Sequence, residues 1–212
     1  MRKHHMIRRG LLSALAVPLL SLPVLAAETA SGSFADVPPS FWGYESIEQA
    51  AQHGYVNGVG GGKFEPNRQL TRAEFVAMLH RMAGSPAAST AAAFTDVPDG
   101  AWYRAALNWA AEKGYVGGTG AHTFNPNGRI TRQEVVTILF RYNGAQSGAE
   151  LLLTSVYDSQ FADSGDIAPW AKDAMYWAVY NSVIAGTSQT TVSPAATATR
   201  AEVAAILVRY AK

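Results

Sequence analysis

The segment Leu70-Thr71-Arg72-Ala73-Glu74 decides the fold, because it carries the signature of a helix start. Thr is a preferred N-cap residue, and a Glu three positions later closes a capping box, in which each side chain accepts a hydrogen bond from the other residue's backbone amide. The same Thr-Arg-x-Glu pattern stands at 131–134 and at 199–202. The sequence therefore predicts three helices that begin in the same way.

Each of these helix starts belongs to a longer repeat. The repeats open with Phe34-Ala35-Asp36-Val37, Phe94-Thr95-Asp96-Val97 and Phe161-Ala162-Asp163, and a Trp follows each opening at Trp42, Trp102 and Trp170. A recurrence of several rare residues at fixed spacing indicates tandem structural units. We divide the chain into repeat 1 (34–82), repeat 2 (94–142) and repeat 3 (161–211), with 84–93 and 143–160 as linkers.

A second helix precedes the capped one in each repeat. Apolar residues at helical spacing over 42–53 and 102–113 predict amphipathic helices, each ended by a glycine, Gly54 or Gly114, that can adopt the left-handed backbone conformation. Trp109 and Trp177 fall in the middle of such helices and are predicted to lie in the core. A run of alternating polar and apolar residues long enough for a strand is absent from the sequence, so we predict an all-α fold.

The three repeats are expected to need one another. Each is a helix–loop–helix unit whose helices cannot bury their apolar faces alone, so stacking of neighbouring repeats must supply the core. We therefore predict that the three Thr-capped helices pack around a common axis. Glu74, Glu134 and Glu202 are assigned to the capping boxes rather than to catalysis.

Composition excludes several classes of site. The 212 residues contain no cysteine, which rules out disulfides, thiolate metal sites and cysteine nucleophiles. The five histidines show no metal-ligand spacing, so we expect no metal ion and no cofactor. The formal net charge of +1, without a basic block beyond the extreme N-terminus, argues against nucleic acid as the main partner.

The N-terminal segment 1–26 has the three parts of a secretory signal peptide. Basic residues in 1–9 precede an uncharged apolar run over 10–25, and Val24-Leu25-Ala26 provides a cleavage site. The run is shorter than the roughly 20 residues that a membrane-spanning helix needs, although an uncleaved anchor is the alternative. We expect the mature protein to begin near Ala27 and to be exported, without a membrane association after cleavage.

The three arginines of the capped helices are candidate ligand-binding residues. Arg72, Arg132 and Arg200 follow the N-cap directly, where a cation opposes the helix dipole at a cost of about 0.3–1 kcal/mol. A locally unfavourable residue used three times suggests a compensating role. The guanidinium could grip a carboxylate bidentately beside a helix N-terminus that itself attracts anions. The alternative is a structural ion pair with Asp36, Asp96 or Asp163.

Aromatic and glycine residues offer a second set of candidates. Trp42, Trp102 and Trp170 could either lie in the core, which is the commoner place for Trp, or present a flat face to a sugar ring. The glycine-rich loops near Gly60 and Gly120 follow helices rather than strands, which argues against a phosphate-binding loop. Their glycines instead give the loops positive φ angles, and their backbone amides could line a groove.

These motifs together resemble the S-layer homology (SLH) domain. Its pattern is Phe-x-Asp-Val, then Trp, a Gly at a helix end, Phe-x-Pro and Ile-Thr-Arg-Ala-Glu, and repeats 1 and 2 match it almost throughout. Repeat 3 departs from it: Ser182 replaces the helix-end Gly, Val192 the Phe before Pro194, and Ala198 the Ile before Thr199. The resemblance implies three SLH modules in a pseudo-threefold helical spindle.

The resemblance also implies a function. Such trios anchor bacterial surface proteins non-covalently to an anionic cell-wall polysaccharide, often one that bears pyruvate ketals. It favours ligand contact for Arg72, Arg132 and Arg200, with the neighbouring Asp and Trp residues as sugar contacts and with Gly60 and Gly120 in the groove. Arg200 is expected to matter least, because repeat 3 has lost the residues that shape its surroundings. The expected location is the cell wall or S-layer surface.

Two other function classes compete with wall anchoring. A wall-active hydrolase or other surface enzyme would add a separate catalytic region, for which the residues beyond the three repeats leave no room, so we expect no enzyme activity. A component of the S-layer lattice, interacting with other surface proteins, would also usually need a large additional region. A zymogram and a cell-wall pulldown, respectively, would separate these alternatives from the anchor.

Overall fold

Six α-helices, two in each repeat, form the protein in the computed structural model, which describes residues 32–144 and 160–212. They are α1 (Tyr44–Gln52), α2 (Arg72–Met82), α3 (Arg104–Glu112), α4 (Arg132–Tyr142), α5 (Lys172–Tyr180) and α6 (Arg200–Tyr210). Within these ranges the backbone forms isolated β-bridges but no strand, so the all-α prediction is confirmed. The predicted signal peptide, 1–26, lies outside the described residues and stays a prediction.

The capped helices begin as predicted. In α2, the Thr71 hydroxyl accepts from the Glu74 amide at 3.2 Å, and the Glu74 carboxylate accepts from the Thr71 amide at 2.8 Å. The same reciprocal capping box starts α4 and α6. Substituting such a cap by alanine typically costs about 1 kcal/mol, so the three boxes fix where each helix enters the fold.

The first helix of repeats 1 and 2 is shorter than predicted. Helices α1 and α3 begin at Tyr44 and Arg104, because Trp42 and Trp102 lie in the turns that precede them. The predicted stops are confirmed: Gly54 and Gly114 both have a φ of 72°. In repeat 3, Ser182 adopts a φ of 57° at the corresponding position, a conformation that costs a non-glycine residue more. Helix α5 is instead preceded by two short 3₁₀ helices, Ser164–Asp166 and Pro169–Ala171.

A ring of three backbone hydrogen bonds lies where the repeats meet. The Leu70 amide donates to the Ala198 carbonyl at 2.9 Å, the Ala198 amide to the Ile130 carbonyl at 2.9 Å, and the Ile130 amide to the Leu70 carbonyl at 3.0 Å. All three side chains are fully buried. Each residue directly precedes the N-cap of its helix, so the ring gives the starts of the capped helices a pseudo-threefold arrangement.

The helices pack between repeats rather than within them. Helix α2 packs on α3, α4 on α5, and α6 on α1, so each capped helix packs mainly on the first helix of the following repeat and the last closes on repeat 1. The prediction that the repeats bury one another's apolar faces is confirmed. The capped helices meet chiefly at their N-terminal ring, however, and their apolar stripes face the first helices rather than only one another.

One continuous apolar core runs through the three repeats, and it includes Trp109 and Trp177 as predicted. The linker 84–93 contains no helix and is held to α3, where the Glu112 carboxylate accepts from the Thr90 amide at 2.9 Å. In the described part of the chain, every helix is too short or too polar to cross a membrane.

Candidate functional site

Arg72 extends from the first turn of α2 into the loop of repeat 2. Its Nε donates to the Phe124 carbonyl at 2.9 Å, one terminal nitrogen donates to Glu134 Oε1 at 2.8 Å, and the other to the Gly117 carbonyl at 3.3 Å. The guanidinium carbon also lies 4.8 Å from the centre of the Phe124 ring. Arg72 is buried, and this burial lowers the pKa of its guanidinium, although an arginine stays charged at any ordinary pH.

Arg132 repeats this arrangement one step further along the chain. Its Nε donates to the Val192 carbonyl at 2.9 Å and a terminal nitrogen to the Ala185 carbonyl at 3.0 Å, both in repeat 3. The ion pair with Glu202 is longer, at 3.5 Å. Val192 stands where repeats 1 and 2 have Phe64 and Phe124. Arg132 therefore lacks the phenylalanine ring that lies beside the other two arginines.

Arg200 closes the cycle by entering repeat 1. Its Nε donates to the Phe64 carbonyl at 2.7 Å, a terminal nitrogen donates to the Asn57 carbonyl at 2.8 Å, and the guanidinium carbon lies 4.5 Å from the Phe64 ring centre. All three arginines thus join one repeat to the next. The structure therefore explains a cation at this helix position without invoking a ligand.

The helix N-termini themselves are occupied by protein. In α2 the Arg72 amide donates to the Gly128 carbonyl at 2.9 Å and the Ala73 amide to the Pro126 carbonyl at 3.1 Å, while the Glu74 amide bonds to the N-cap threonine. Helices α4 and α6 use the corresponding carbonyls of repeats 3 and 1. The idea that these helix N-termini attract an anion directly is therefore wrong, because their first three amides already have acceptors.

The three aspartates hold the loops that the arginines enter. Asp36 accepts from the Phe64 amide at 2.7 Å and from the Glu65 amide at 2.8 Å, and Asp96 and Asp163 make the same pair of bonds in their own repeats. Burial raises the pKa of Asp36, but the bonds from the two amides outweigh it, so its pKa is lowered. The alternative of an Arg–Asp ion pair is wrong, since the carboxylate that pairs with Arg72 is Glu134.

The three tryptophans that follow the repeat openings are exposed. Trp42, Trp102 and Trp170 keep 62%, 68% and 57% of their surface accessible. These values decide against the core alternative for all three. A large exposed aromatic face is suited to the apolar face of a sugar ring or another flat ligand, and the indole N–H can donate to a hydroxyl beside it.

Two cavities bring the predicted residues together, and each is lined by all three repeats. The Arg72 groove, of about 390 Å³, is lined by Arg72 from repeat 1, by Glu134 and Arg141 from repeat 2 and by Trp170 from repeat 3. The Arg132 groove, of about 230 Å³, has the same composition advanced by one repeat. Its lining includes Arg132, Glu202, Arg209, Thr187 and Trp42.

The glycines of these grooves differ from those the sequence suggested. Gly117 and Gly118 line the Arg72 groove, and Gly186 lines the Arg132 groove. Gly60 and Gly120 instead each form an isolated bridge within a tight turn, to Lys63 and Thr123. The glycine prediction identified the right loop and missed the residues that border the groove.

Sequence reasoning also missed the arginines at the end of the capped helices. Arg141 and Arg209 line the two grooves, and Arg81 is their counterpart in repeat 1. Their recurrence was a usable signal, but a cation near a helix C-terminus has an ordinary explanation in the helix dipole. Among the described residues, no group of three His, Asp or Glu side chains could hold a metal ion.

The fold and grooves define a class: a helical binding domain in which three interlocked repeats assemble each groove jointly. Comparison with known proteins gives the family. The S-layer homology domain matches residues 33–76, 93–136 and 160–204, and the chain belongs to this family. Domains of the family anchor S-layer proteins and surface enzymes to the cell wall by binding its polymers.

The relatives include both kinds of protein. Amylopullulanase of Thermoanaerobacterium thermosulfurigenes is 31% identical over 175 residues, which cover 82% of this chain and 9% of that protein. Exoglucanase XynX of Acetivibrio thermocellus is 32% identical over 182 residues, covering 84% and 16%. An S-layer protein of Bacillus thuringiensis subsp. finitimus is 30% identical over 205 residues, covering 96% and 24%. The chain thus spans less than a quarter of each of these relatives.

Proposed function

We propose that this chain is an exported, non-enzymatic anchor that holds a surface protein to the bacterial cell wall by binding an anionic wall polysaccharide. The observation that carries the proposal is the composition of the Arg72 and Arg132 grooves. Each combines a buried arginine, a second arginine at the groove wall and an exposed tryptophan, and each is built by all three repeats. Such a set offers cationic donors to an acidic group and a flat face to a sugar ring.

The arginines at the groove floor retain donors for a ligand. Arg72 uses its Nε and one hydrogen bond from each terminal nitrogen, and a guanidinium has five N–H donors in all. A carboxylate, such as that of a pyruvate ketal on the polysaccharide, would fit between this floor and Arg141. Asp36, Asp96 and Asp163 act on the ligand only through the loops they hold.

Two features support the absence of a catalytic role. The capping-box glutamates that line the grooves, Glu134 and Glu202, are each held by the threonine amide and by an arginine. Both grooves contain a glutamate in the same position, as is expected of a structural residue that recurs in each repeat. A zymogram with wall and polysaccharide substrates should therefore show no lysis band for this chain.

Binding is best tested at the groove rims, because substitutions of the buried arginines would also disturb the fold. We expect Trp170→Ala and Trp42→Ala each to weaken binding of purified wall polysaccharide at its own groove by about tenfold, the effect of losing about 1–2 kcal/mol of aromatic contact. The double variant should lose this contact in both grooves. Isothermal titration measures the affinity, and circular dichroism confirms each fold. Tyr180→Ala is the matched control, because Tyr180 is equally exposed, at 61%, and lies outside both grooves.

Walls stripped of their secondary polysaccharide should lose the protein in a pulldown, whereas intact walls should retain it. If the Trp42/Trp170 double variant binds the polysaccharide as tightly as the parent, or if stripped walls retain the protein equally well, the grooves are not the anchoring site. N-terminal sequencing of the wall-extracted protein would test export separately, with a start near Ala27 expected.

A further inference from the structure

The pseudo-threefold arrangement of the repeats implies a third groove, centred on Arg200. Its residues follow from the two described above by advancing one repeat: the loop around Asn57, Glu74 and Arg81 from repeat 1, and Trp102 from repeat 2. Arg200 lies against this loop through its bond to the Asn57 carbonyl. One residue makes the third groove different from the others, and that residue is Arg68.

Arg68 covers the acid of the third groove. Its two terminal nitrogens donate to the two carboxylate oxygens of Glu74, at 2.6 Å and 3.2 Å, and its Nε donates to Glu65 at 2.7 Å. This is the bidentate geometry in which arginine binds a carboxylate most strongly. Burial raises the pKa of Glu74, and the hydrogen bonds from Arg68 and Thr71 more than reverse this, so its pKa is lowered.

The corresponding acids of the other two grooves pair with the floor arginine instead, and they are slightly more exposed. Glu134 and Glu202 both line their cavities, with 24% and 26% of the side chain exposed, against 18% for Glu74. The residues that correspond to Arg68 are Gly128 and Ala196, which have no side chain long enough to reach these acids. Arg68 therefore places a second guanidinium beside the acid of the third groove, where repeats 2 and 3 have no side chain that could reach it.

The change also affects Arg200. In the other grooves the floor arginine pairs with the local acid, as Arg72 does with Glu134 at 2.8 Å. In the third groove Glu74 pairs with Arg68 instead. Within the described residues, the side chain of Arg200 donates its hydrogen bonds to backbone carbonyls, those of Phe64 and Asn57. A ligand entering here would have to displace Arg68 from two carboxylates before it reached the floor.

We propose that Arg68 is an internal plug of the Arg200 groove, so that the chain presents two receptive grooves and one that is closed by its own side chain. This inference rests on the proposed function, because it concerns the same class of ligand. The plug acts by occupancy: the guanidinium of Arg68 satisfies the groove acid and fills the space above it. Removing the side chain opens the groove, and supplying it elsewhere closes another.

The chain offers a reciprocal pair of variants for the test. Arg68→Ala gives repeat 1 the residue that repeat 3 has, and both positions are at least partly exposed, so the fold should tolerate the change. Ala196→Arg gives repeat 3 the residue that repeat 1 has, within reach of Glu202 in the Arg132 groove. Each rim tryptophan reports on its own groove: Trp170 for Arg72, Trp42 for Arg132 and Trp102 for Arg200.

The experiment is hydroxyl-radical footprinting of the full chain with purified wall polysaccharide as the probe. In the parent, we expect the polysaccharide to slow oxidation of Trp170 and Trp42 several-fold and to leave Trp102 unchanged. Arg68→Ala should add protection of Trp102 without altering the other two. Ala196→Arg should abolish protection of Trp42 alone, and Tyr180 should be oxidised at the same rate throughout.

The outcomes separate the two proposals. If Trp170 and Trp42 are protected while Trp102 is also protected in the parent, or stays unprotected in Arg68→Ala, the plug is overturned and the anchoring grooves stand. If Arg68→Ala removes a protection of Trp102 that the parent shows, Arg68 is a ligand contact instead. If the polysaccharide protects none of the three tryptophans in any variant, the anchoring grooves and the plug both fail.

Discussion

Arg132 and Arg200 stand at the same position of successive repeats, yet their surroundings differ. Arg132 enters the loop of repeat 3 and bonds to the Val192 carbonyl, whereas Arg200 enters the loop of repeat 1 and lies 4.5 Å from the Phe64 ring. The substitution at Val192 therefore alters the surroundings of Arg132 rather than those of Arg200. The sequence-based reason for expecting a weak Arg200, its own altered repeat, is wrong.

The difference teaches that interlocked repeats should be compared across their interfaces. Each arginine, each capped helix and each pair of helix N-terminal amides finds its partners in the following repeat. A substitution in one repeat thus changes the surroundings of the functional arginine of the preceding repeat. A residue that departs from the repeat pattern can be assigned to a groove only once it is known which repeat contacts which.

The largest expected effect comes from removing repeat 3. A chain ending at Gly144 deprives Arg132 of its loop, α4 of α5 and α1 of α6, so the remaining repeats lose two of their three interfaces. We expect this chain to lose cooperative thermal unfolding or to melt far below the parent, as followed by circular dichroism. A chain that lacks only 1–26 is the control, since it keeps all three repeats.

If the chain ending at Gly144 melts at the same temperature as the control, the repeats are independent and the packing between them contributes little to stability. A melting temperature that depends on protein concentration would instead indicate that a second copy replaces the missing interfaces.

The next effect compares two buried arginines. We expect Arg72→Ala to lower the free energy of unfolding by about 3 kcal/mol and Arg132→Ala by about 2 kcal/mol, because a partly buried acid and two carbonyls lose their donor in each case. The first is larger because Arg72 has the shorter ion pair, 2.8 Å against 3.5 Å, and an aromatic neighbour. Urea denaturation measures both values.

Arg104→Ala is the control for this pair. Its ion pair is with the fully exposed Asp99, a kind of pair that contributes about 0–1 kcal/mol, and it donates to one backbone carbonyl, that of Val97, rather than to two. If Arg132→Ala costs more than Arg72→Ala, the departures of repeat 3 have not weakened its interface with repeat 2.

A third, smaller effect isolates the aromatic ring. Phe64→Leu and Phe124→Leu keep most of the buried volume but remove the ring beside Arg200 and Arg72. Phe75→Leu is the control, because Phe75 is equally buried and belongs to the core. We expect the first two to cost at least about 1 kcal/mol more than the control, because each loses a partly desolvated cation–π contact together with a ring contact to Phe34 or Phe94. Equal losses in urea denaturation would contradict this.

The sequence predicted the features that depend on local signals. The capping boxes of Thr71, Thr131 and Thr199 were identified because both partners lie within one helical turn, and the stop at Gly54 needs only a positive φ. The start of α1 was placed two residues early, because Trp42 fits an apolar stripe but lies in the preceding turn. Local pattern alone does not separate these cases.

The partners of the site residues could not be predicted in the same way. Arg72 bonds to residues of another repeat, and both its carbonyl acceptors and Glu134 are far away in sequence. The aspartate of the repeat opening was therefore a natural but wrong alternative. The sequence also left open whether the three rim tryptophans are buried or exposed. A tryptophan that precedes a helix can point into the core or toward solvent, and the position of the neighbouring repeat decides which.

The smallest expected effect concerns the loop of repeat 1, to which Arg200 bonds. Asp36 supports the loop of Arg200, and its pKa is lowered by the Phe64 and Glu65 amides acting against burial. A lowered pKa in the folded state contributes stability above the unfolded value, near 4, and this contribution is lost as the pH falls through the folded value. We expect Asp36→Asn to be about 1 kcal/mol less stable than the parent at pH 6.

This difference should shrink as the pH falls below 4, because the parent carboxylate becomes protonated and loses its advantage over the neutral amide. Urea denaturation at a series of pH values measures it. Asp99→Asn is the control, because Asp99 is fully exposed and pairs with Arg104 at the surface. A difference between Asp36→Asn and the parent that stays constant from pH 6 to pH 3 would mean that the charge of Asp36 does not stabilise the loop, and that the shape of its hydrogen bonds alone positions the Phe64 carbonyl for Arg200.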